Sequence, residues 1–419
     1  MPDVTEFAPG NYKYIVSPGG PFSSGVAALP GYALHRVRFK RPIPMADGFA
    51  FIKKHLEREG RPVTALAACE LRSPAAMTGE QFQAFNGEYL KTLHRWGCKA
   101  GDINPLARSN LAPITEVPSE AMFFAFTYTV PETGASGDFL ISGKPEIRDG
   151  ASPSERIVGG RDVSLKGLDA KARFVMNAMR ERVAALGCKW DDVTAAQIYT
   201  VHDIRPLLDT VFAEDKVSQI GLAWYPAWPP VIGMEFEVDV RSVRTELVID
   251  AIGLKGDGIA RHEGTRLHLP FVLPGERVSA RLSGEWVEDV SVLEASPERI
   301  APTCPHFGAC GGCALQHWAP EAVARWKRER ILSALRFVGL EAPVAFAEVE
   351  EDNAERVVEA ELAESLQLKL GDRLRFNVGG IEFARAGKPE LSISGAIAEH
   401  RPRIDQKAMA LDWREIRRA

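Results

Sequence analysis

Cys304, Cys310 and Cys313 fall in the run Cys-Pro-His-Phe-Gly-Ala-Cys-Gly-Gly-Cys, and no cysteine follows it in the 419-residue chain. Three thiolates this close together suit a soft metal, because iron clusters and zinc both favour sulfur ligands. Both normally take four ligands, so the triplet predicts part of a larger site. His306, His317, water or another chain could supply the fourth. A 4Fe-4S cluster and a Cys3His zinc site are both open readings, and an empty thiol loop is the plain alternative. Cys69, Cys98 and Cys188 are scattered and read as small buried apolar residues.

The elements that must position any such chemistry form two α/β units of similar order. In the second, Ser136 to Gly143 predicts a strand. Leu168, Ala172, Val175, Met179, Val183 and Leu186 recur at helical spacing, and Gly187 stands where a helix would stop. A strand over Ala195–Thr200, a helix opening near Pro206 and a strand over Met234–Val240 complete the unit. That last strand alternates apolar and acidic residues, which predicts one buried and one polar face. The first unit repeats the plan: a helix near Asp47–Glu59, a strand over Val63–Leu71, a helix near Thr78–Trp96 and a closing strand over Ala121–Tyr128. This last strand is apolar on both faces, so both should be covered. The texture changes near Val243. Short strand-like runs from Leu247 to Val292 alternate with glycine turns and suggest a small β-barrel. The cysteine run and a helix over about Pro320–Val338 follow. Leu370 to Phe383 reads as a hairpin turning at Gly379-Gly380, and a short helix over Asp412–Arg418 is possible.

Composition bounds the partners. The formal charge of −5 excludes a whole-chain field favouring nucleic acid. No apolar run reaches membrane-spanning length, and Met1 to Glu6 lacks the start of a secretory leader. The expectation is a cytoplasmic protein without a membrane partner, where a clustered cysteine triplet reads as metal-binding rather than disulfide.

Gly19-Gly20-Pro21-Phe22-Ser23-Ser24-Gly25, the strand Gly137–Gly143, Leu168 through His202-Asp203, and Glu235 to Val240 carry a resemblance. Over residues 11–243 the chain resembles the Rid (reactive-intermediate deaminase) superfamily, within it the 2-amino-5-chloromuconate/2-aminomuconate deaminases. The resemblance implies tandem chorismate-mutase-like units, a homotrimer with clefts between subunits, and metal-free hydrolysis of a small-molecule enamine or imine. Such chemistry needs a placed carboxylate to move protons and a cation to hold the substrate carboxylate. Many Rid proteins place that cation, an arginine, shortly before the last strand. Counting back from the closing strands reaches Glu116 and Trp228, so the expectation turns to Arg108, Arg205 or Arg241. Glu235, Glu237 and His202 are the catalytic candidates. A solvated strand face explains the two glutamates equally well, and a turn role explains His202. Trp224, Tyr225 and Trp228 could wall a cleft for a flat diene, or simply pack.

Ile252 to Ala260, Leu269 to Glu276, and Cys304-x5-Cys310-Gly311-Gly312-Cys313-x2-Gln316-His317 resemble the front of the RNA uridine-5 methyltransferases over residues 247–343. This implies an OB-like TRAM barrel that binds RNA, and an iron–sulfur motif whose fourth cysteine lies in a methyltransferase part. Nothing here matches that cysteine, the S-adenosylmethionine loop or the nucleophile that uridine methylation needs. Over 359–383, carried by Ala363 to Phe376, the chain resembles a fragment of an ABC-transporter permease, with no membrane helix beside it.

The expected architecture is therefore α/β (α+β). Rid-like units over 1–134 and 135–243 precede a TRAM-like barrel over 244–297, a cysteine motif with a helix over 298–343 and an irregular tail over 344–419. The expected function is deamination of a 2-aminomuconate-type amino acid. The alternatives are an RNA-binding iron–sulfur fragment without methyltransferase activity, or a non-functional fusion product.

Overall fold

Both repeats become β-sheets with helices on their outer faces in the computed structural model. It describes residues 2–17, 22–101, 103–135, 137–152, 155–284, 286–309, 313–337, 339–341 and 344, and the backbone of four short strands beyond. Contacts divide the chain into two units, 1–317 and 318–419.

The larger unit opens with β1 (Val4–Phe7), β2 (Tyr12–Ile15), β3 (Gly25–Ala28) and β4 (Tyr32–Pro44). The first repeat continues through α1 (Met45–Arg58), β5 (Leu66–Arg72), α2 (Gly79–Arg95), β6 (Ala107–Pro113) and β7 (Met122–Pro131). The second runs through β8 (Phe139–Pro145), α3 (Leu165–Ala185) and β9 (Ala195–Tyr199). Three single-turn helices follow, α4 (Arg205–Leu208), α5 (Val211–Glu214) and α6 (Val217–Ile220), then β10 (Leu222–Tyr225), β11 (Ala227–Trp228) and β12 (Glu237–Ser242). These short helices replace the single helix expected from Pro206. Thr210 leaves helical geometry, and Lys216 takes the left-handed conformation at φ 57°, which an α-helix cannot continue through. Elsewhere local signals hold. Thr78 caps α2 in a reciprocal capping box with Gln81, and Ser164 caps α3.

The duplication is visible in strand order. One sheet runs β1-β2-β3-β8-β12-β9-β10. The other runs β11-β6-β5-β7-β4 and continues into β13 (Arg244–Val248), β17 (Arg277–Ser283) and β18 (Trp286–Glu294). Each repeat thus reads first, last, second, third, with the second and third strands parallel. The chain also exchanges ends between the sheets. β3 pairs with β8 of the second repeat, while β13, after the second repeat, runs parallel to β4 of the first.

The sheets stack face to face. Ile52, Leu56 and Leu93 of α1 and α2 cover the outer face of the first repeat, against Leu66, Leu71, Phe123 and Phe126. Val175, Met176, Met179 and Val183 of α3 cover Ile198, Phe236, Val238 and Val240 of the second. Each fully buried side chain of this size contributes about 1.5–3 kcal/mol. Between the sheets an apolar patch holds Tyr12, Tyr14, Leu34, Ala68, Ala107 and Leu140. Both faces of β7 are therefore covered, as its composition demands. The expectation of a polar, wet face on β12 is corrected: all six residues of the strand are buried. The second repeat lays that acidic face against the first, and the acids must find partners there.

β14 (Ala251–Ile252), β15 (Gly258–His262) and β16 (Thr265–Leu269) form a separate small sheet. Leu247, Ala260, Leu267, Leu269, Val278 and Ala280 gather the appended strands round one apolar core. The strands divide between two sheets, and no closed barrel is formed among the described residues.

The second unit holds α7 (Pro320–Phe337) and a sheet of β19 (Arg356–Val358), β20 (Arg373–Phe376), β21 (Ile381–Arg385) and β22 (Leu391–Ser394), in the order β19-β22-β21-β20. β20 and β21 pair as the expected hairpin. Its Gly379-Gly380 turn, most of the permease-like stretch and the possible helix over 412–418 lie outside the described residues. No helix among the described residues is long and apolar enough to cross a membrane.

One buried ion pair holds the start of β12. Lys171 of α3 reaches Glu146 at 3.2 Å and donates to the carbonyls of Val158 and Gly160. Glu146 in turn accepts the backbone N–H groups of Glu235 and Phe236. Lys171→Met should leave Glu146 charged, buried and uncompensated. The expected loss is about 3–5 kcal/mol of unfolding free energy in urea titration, partly restored by the Glu146→Gln, Lys171→Met double variant.

Candidate active site

Charged residues at alternate positions of otherwise apolar strands meet between the sheets. β4 contributes Arg36 and Arg38, β5 contributes Glu70 and Arg72, and β12 contributes Glu237, Asp239 and Arg241. Arg36 grips Glu70 with Nε at 2.6 Å and Nη2 at 2.9 Å. Arg241 reaches across to the same Glu70 at 2.8 Å and pairs with Asp239 at 2.6 Å. Asp239 also accepts from Ser109 and Tyr199, and Arg241 donates to Gln197. Burial opposes the ionised form of Glu70, but Arg241 and Arg36 outweigh it and hold the carboxylate charged.

Glu237 has no such partner. Its side chain is buried, and its Oε2 has no hydrogen-bond partner among the described residues. Burial, then the Asp239 and Glu146 carboxylates, push its pKa up to about 8, against the pull of Arg108 and Arg182. A neutral carboxyl at pH 7 can therefore donate a proton, and a pKa near working pH suits acid–base exchange. The space it occupies depends on Gly143, where a Cβ would fall 1.9 Å from its Oε1. Here β8 carries one residue more than β12 between paired positions, a bulge of the kind that re-aims side chains beside sites.

Arg108 is one of the cations whose charge acts on Glu237. It lies on β6, in the strand order directly before the closing strand β7. Counting along the sequence reaches Glu116 and Trp228, and Arg108 is one of the substitutes it leaves. Arg108 is buried, stacks 3.8 Å over the Phe22 ring and donates to Asn86 at 2.6 Å. Burial lowers its pKa to about 10, which leaves it charged at neutral pH. Ser24, Lys144, Asp149, Phe174, Glu181 and Arg182 line a cavity of about 550 Å³, whose lining includes neither Arg108 nor Glu237.

The other expected residues lie elsewhere. His202 Nε2 and Glu235 Oε2 are 2.8 Å apart, with Trp228 edge-on to the imidazole. Trp224 donates to the Thr200 carbonyl. These four form a half-exposed cluster at the strand ends. Arg205 is exposed and paired with Asp203, and it does not line the cavity bounded by Lys144 and Arg182. Arg36, Glu70, Arg72, Asp239, Lys144 and Arg182 were missed. The available signal was charge at i and i+2 within apolar strands, as in Glu70-Leu71-Arg72 and Asp239-Val240-Arg241.

In the cysteine loop, Gln316 accepts from the Cys304 backbone N–H and sits 4.0 Å from the Cys313 sulfur. Cys310 lies outside the described residues, and His306 is exposed. His317 is buried, with neither ring nitrogen hydrogen-bonded among the described residues. Among those residues no group of three or more His, Cys, Asp or Glu is arranged to hold a metal.

The family model described as 2-aminomuconate deaminase CnbZ matches residues 4–247. The 2-amino-5-chloromuconate deaminase of Comamonas testosteroni is 42% identical over 252 residues, which is 59% of this chain and 100% of that protein. An uncharacterized RNA methyltransferase of Caulobacter vibrioides is 49% identical over 100 residues, 24% of each chain. The 23S rRNA (uracil(1939)-C(5))-methyltransferase RlmD of Alkalilimnicola ehrlichii is 41% identical over 99 residues, 22% of each. The chain thus spans about a quarter of the length of these methyltransferases.

The raised pKa of Glu237 has a measurable sign. The unfolded carboxyl titrates near 4.5 and the folded one near 8. Between those values the unfolded chain has released a proton that the native state keeps, so native stability falls as pH rises through the window. Glu237→Gln has no such titration. Its stability relative to the parent should climb between about pH 4.5 and 8, by at most ~1.4 kcal/mol per unit. Thermal unfolding across that range checks this, and a pH-independent difference would refute it.

Proposed function

The chain belongs to the 2-aminomuconate deaminase family, and from that premise we propose that it hydrolyses an enamine or imine amino acid of the 2-aminomuconate type at the Arg108–Glu237 pocket. It is a deaminase, acting on a carbon–nitrogen bond and releasing ammonia. The observation that carries the residue assignment is the neutral, buried Glu237 carboxyl within electrostatic reach of the buried Arg108 guanidinium.

Arg108 holds the substrate carboxylate, its plane set by Phe22 and Asn86. Glu237 gives its proton to the enamine carbon, and the C–N bond becomes an iminium. The Glu237 carboxylate then takes a proton from water as the water oxygen bonds to the iminium carbon, the one that carries nitrogen. Passing this proton to nitrogen breaks the C–N bond and frees ammonia. The hydroxyl proton returns to Glu237 as the carbonyl forms. Arg182 and Lys144 lower the cost of the transient carboxylate. The Glu235–His202 pair is the second proton-transfer candidate, with its carboxylate already engaged.

For the cysteine loop we keep a cluster or zinc site on Cys304, Cys310 and Cys313. The thiolate donor set and the unpartnered, buried His317 support it, and no step above uses it. RNA binding by an OB-like barrel of the appended strands and trimer formation through the Rid-like units are proposals resting on resemblance.

The test is ammonia release from 2-aminomuconate by the full chain. Glu237→Gln should lower kcat about 100-fold or more, and Arg108→Met should act mainly on KM. Parent kcat/KM should fall as pH rises through about 8, where Glu237 loses its proton. A Glu237→Gln variant with parental rate and the same alkaline limb would remove Glu237 from the mechanism.

A further inference from the structure

The hairpin joining β15 to β16 turns at Glu263-Gly264, with φ of 49° and 83°. Two successive left-handed residues make the tight turn that suits the twist of a hairpin, and Asn or Asp with Gly is the usual choice. A glutamate there carries backbone strain, which persists where the surroundings hold it and often marks a functional contact. The contact is visible. Glu263 leaves its own hairpin and reaches between the sheets, where its Oε1 accepts from Arg36 Nη2 at 3.2 Å and its Oε2 from the Tyr225 hydroxyl at 2.8 Å. Arg38 Nε lies 3.9 Å away and the His262 ring 3.6 Å away.

The surroundings are built for an anion. Arg38 and Arg72 both lie over the Phe124 ring, at 4.7 and 3.7 Å from its centroid, and Arg72 is also 5.6 Å from the Tyr225 ring. Arg72 is buried, and its Nη2 has no hydrogen-bond partner among the described residues. Four guanidinium groups, of Arg36, Arg38, Arg72 and Arg241, thus face three carboxylates, of Glu70, Asp239 and Glu263. Glu70 and Asp239 come from the repeats themselves. Glu263 lies beyond residue 247, where the deaminase match ends. Burial favours the neutral form of its carboxyl, but Arg36, His262 and Tyr225 outweigh burial and hold its pKa at about 2.

We propose that Arg36, Arg38 and Tyr225, with Arg72 beside them, form a second carboxylate-binding site, and that the appended segment fills it with Glu263 as a built-in ligand. The site takes a carboxylate attached to a flat unsaturated chain, which the Phe124 and Tyr225 rings can flank. The ion pairs Arg36–Glu70–Arg241–Asp239 link it to the strand that carries Glu237, and it is closed while Glu263 is docked. A tethered carboxylate competes at an effective concentration on the order of mM, which a free acid must exceed. The substrate class rests on the deaminase reading; the carboxylate site itself does not.

Muconate is a suitable probe, because it is a flat dicarboxylate without an amino group to lose. Calorimetric titration of the full chain with muconate should show affinity at least 10-fold higher in Glu263→Gln and Glu263→Ala than in the parent. Adding Arg38→Met to either variant should abolish the gain. Arg38 is partly exposed, so its loss spares the buried lattice, and thermal unfolding confirms that each variant is folded. Unchanged affinity in both folded Glu263 variants overturns the proposal. So does a gain that Arg108→Met removes and Arg38→Met leaves intact, since muconate would then occupy the first pocket. Ammonia release from 2-aminomuconate, measured separately, tests the deaminase reading: muconate binding without turnover would sink that reading and leave the second site standing.

Discussion

The lattice Arg36–Glu70–Arg241–Asp239 decides how the two repeats meet. Its members come from both sheets and are almost fully excluded from water. Burying such charges is costly unless each is paired and hydrogen-bonded, and removing one partner is costlier than never having had the pair. An apolar interface tolerates sliding by a residue; this one does not. Slippage by one residue would turn Glu70 or Asp239 away from its arginine and bury a bare carboxylate. The lattice therefore sets the offset of β12 against β5, and with it the position of every other residue on that face.

Glu237 is the residue most affected by that placement. It shares a strand face with Asp239 but falls one step outside the lattice, where the nearest cations, Arg108 and Arg182, make no ion pair with it. The same burial that strengthens the Arg36–Glu70 pair leaves Glu237 neutral. Two carboxylates of one strand thus differ: Asp239 is held by Arg241, Ser109 and Tyr199, while Glu237 keeps its proton and can exchange it. The charges that act on Glu237 come from both repeats, Arg108 from the first and Lys144 and Arg182 from the second.

The segment after residue 247 is joined to this core rather than hung from it. β13 continues the sheet of the first repeat, and Glu246 on it gathers Tyr128, Arg277 and the rings of His35 and His55 on the outer face. On the inner side Glu263 meets Arg36 and Tyr225. An added module that shares a sheet and places a carboxylate in a cluster of arginines is tied to whatever that cluster binds.

Much of the scaffold was legible in the residues. Helical spacing marked α1, α2 and α3, and the apolar closing strand of the first repeat announced that both its faces are covered. The duplication, the change of texture near Val243 and the deaminase resemblance could also be read, because period and motif are local. The wet face expected for β12 was wrong for a local reason as well. Alternating acids look the same whether they face water or a second sheet, and only the partner sheet distinguishes them. Counting along the chain reached Glu116 and Trp228 and left Arg108 as one of the substitutes, since loop lengths are not encoded in any period. By itself the sequence determined which residues could be charged, which faces are apolar and what family the chain resembles. Only the tertiary structure decided which carboxylate keeps its proton, which arginine faces it and where Glu263 docks, because those depend on distances and dielectric between residues far apart in the chain.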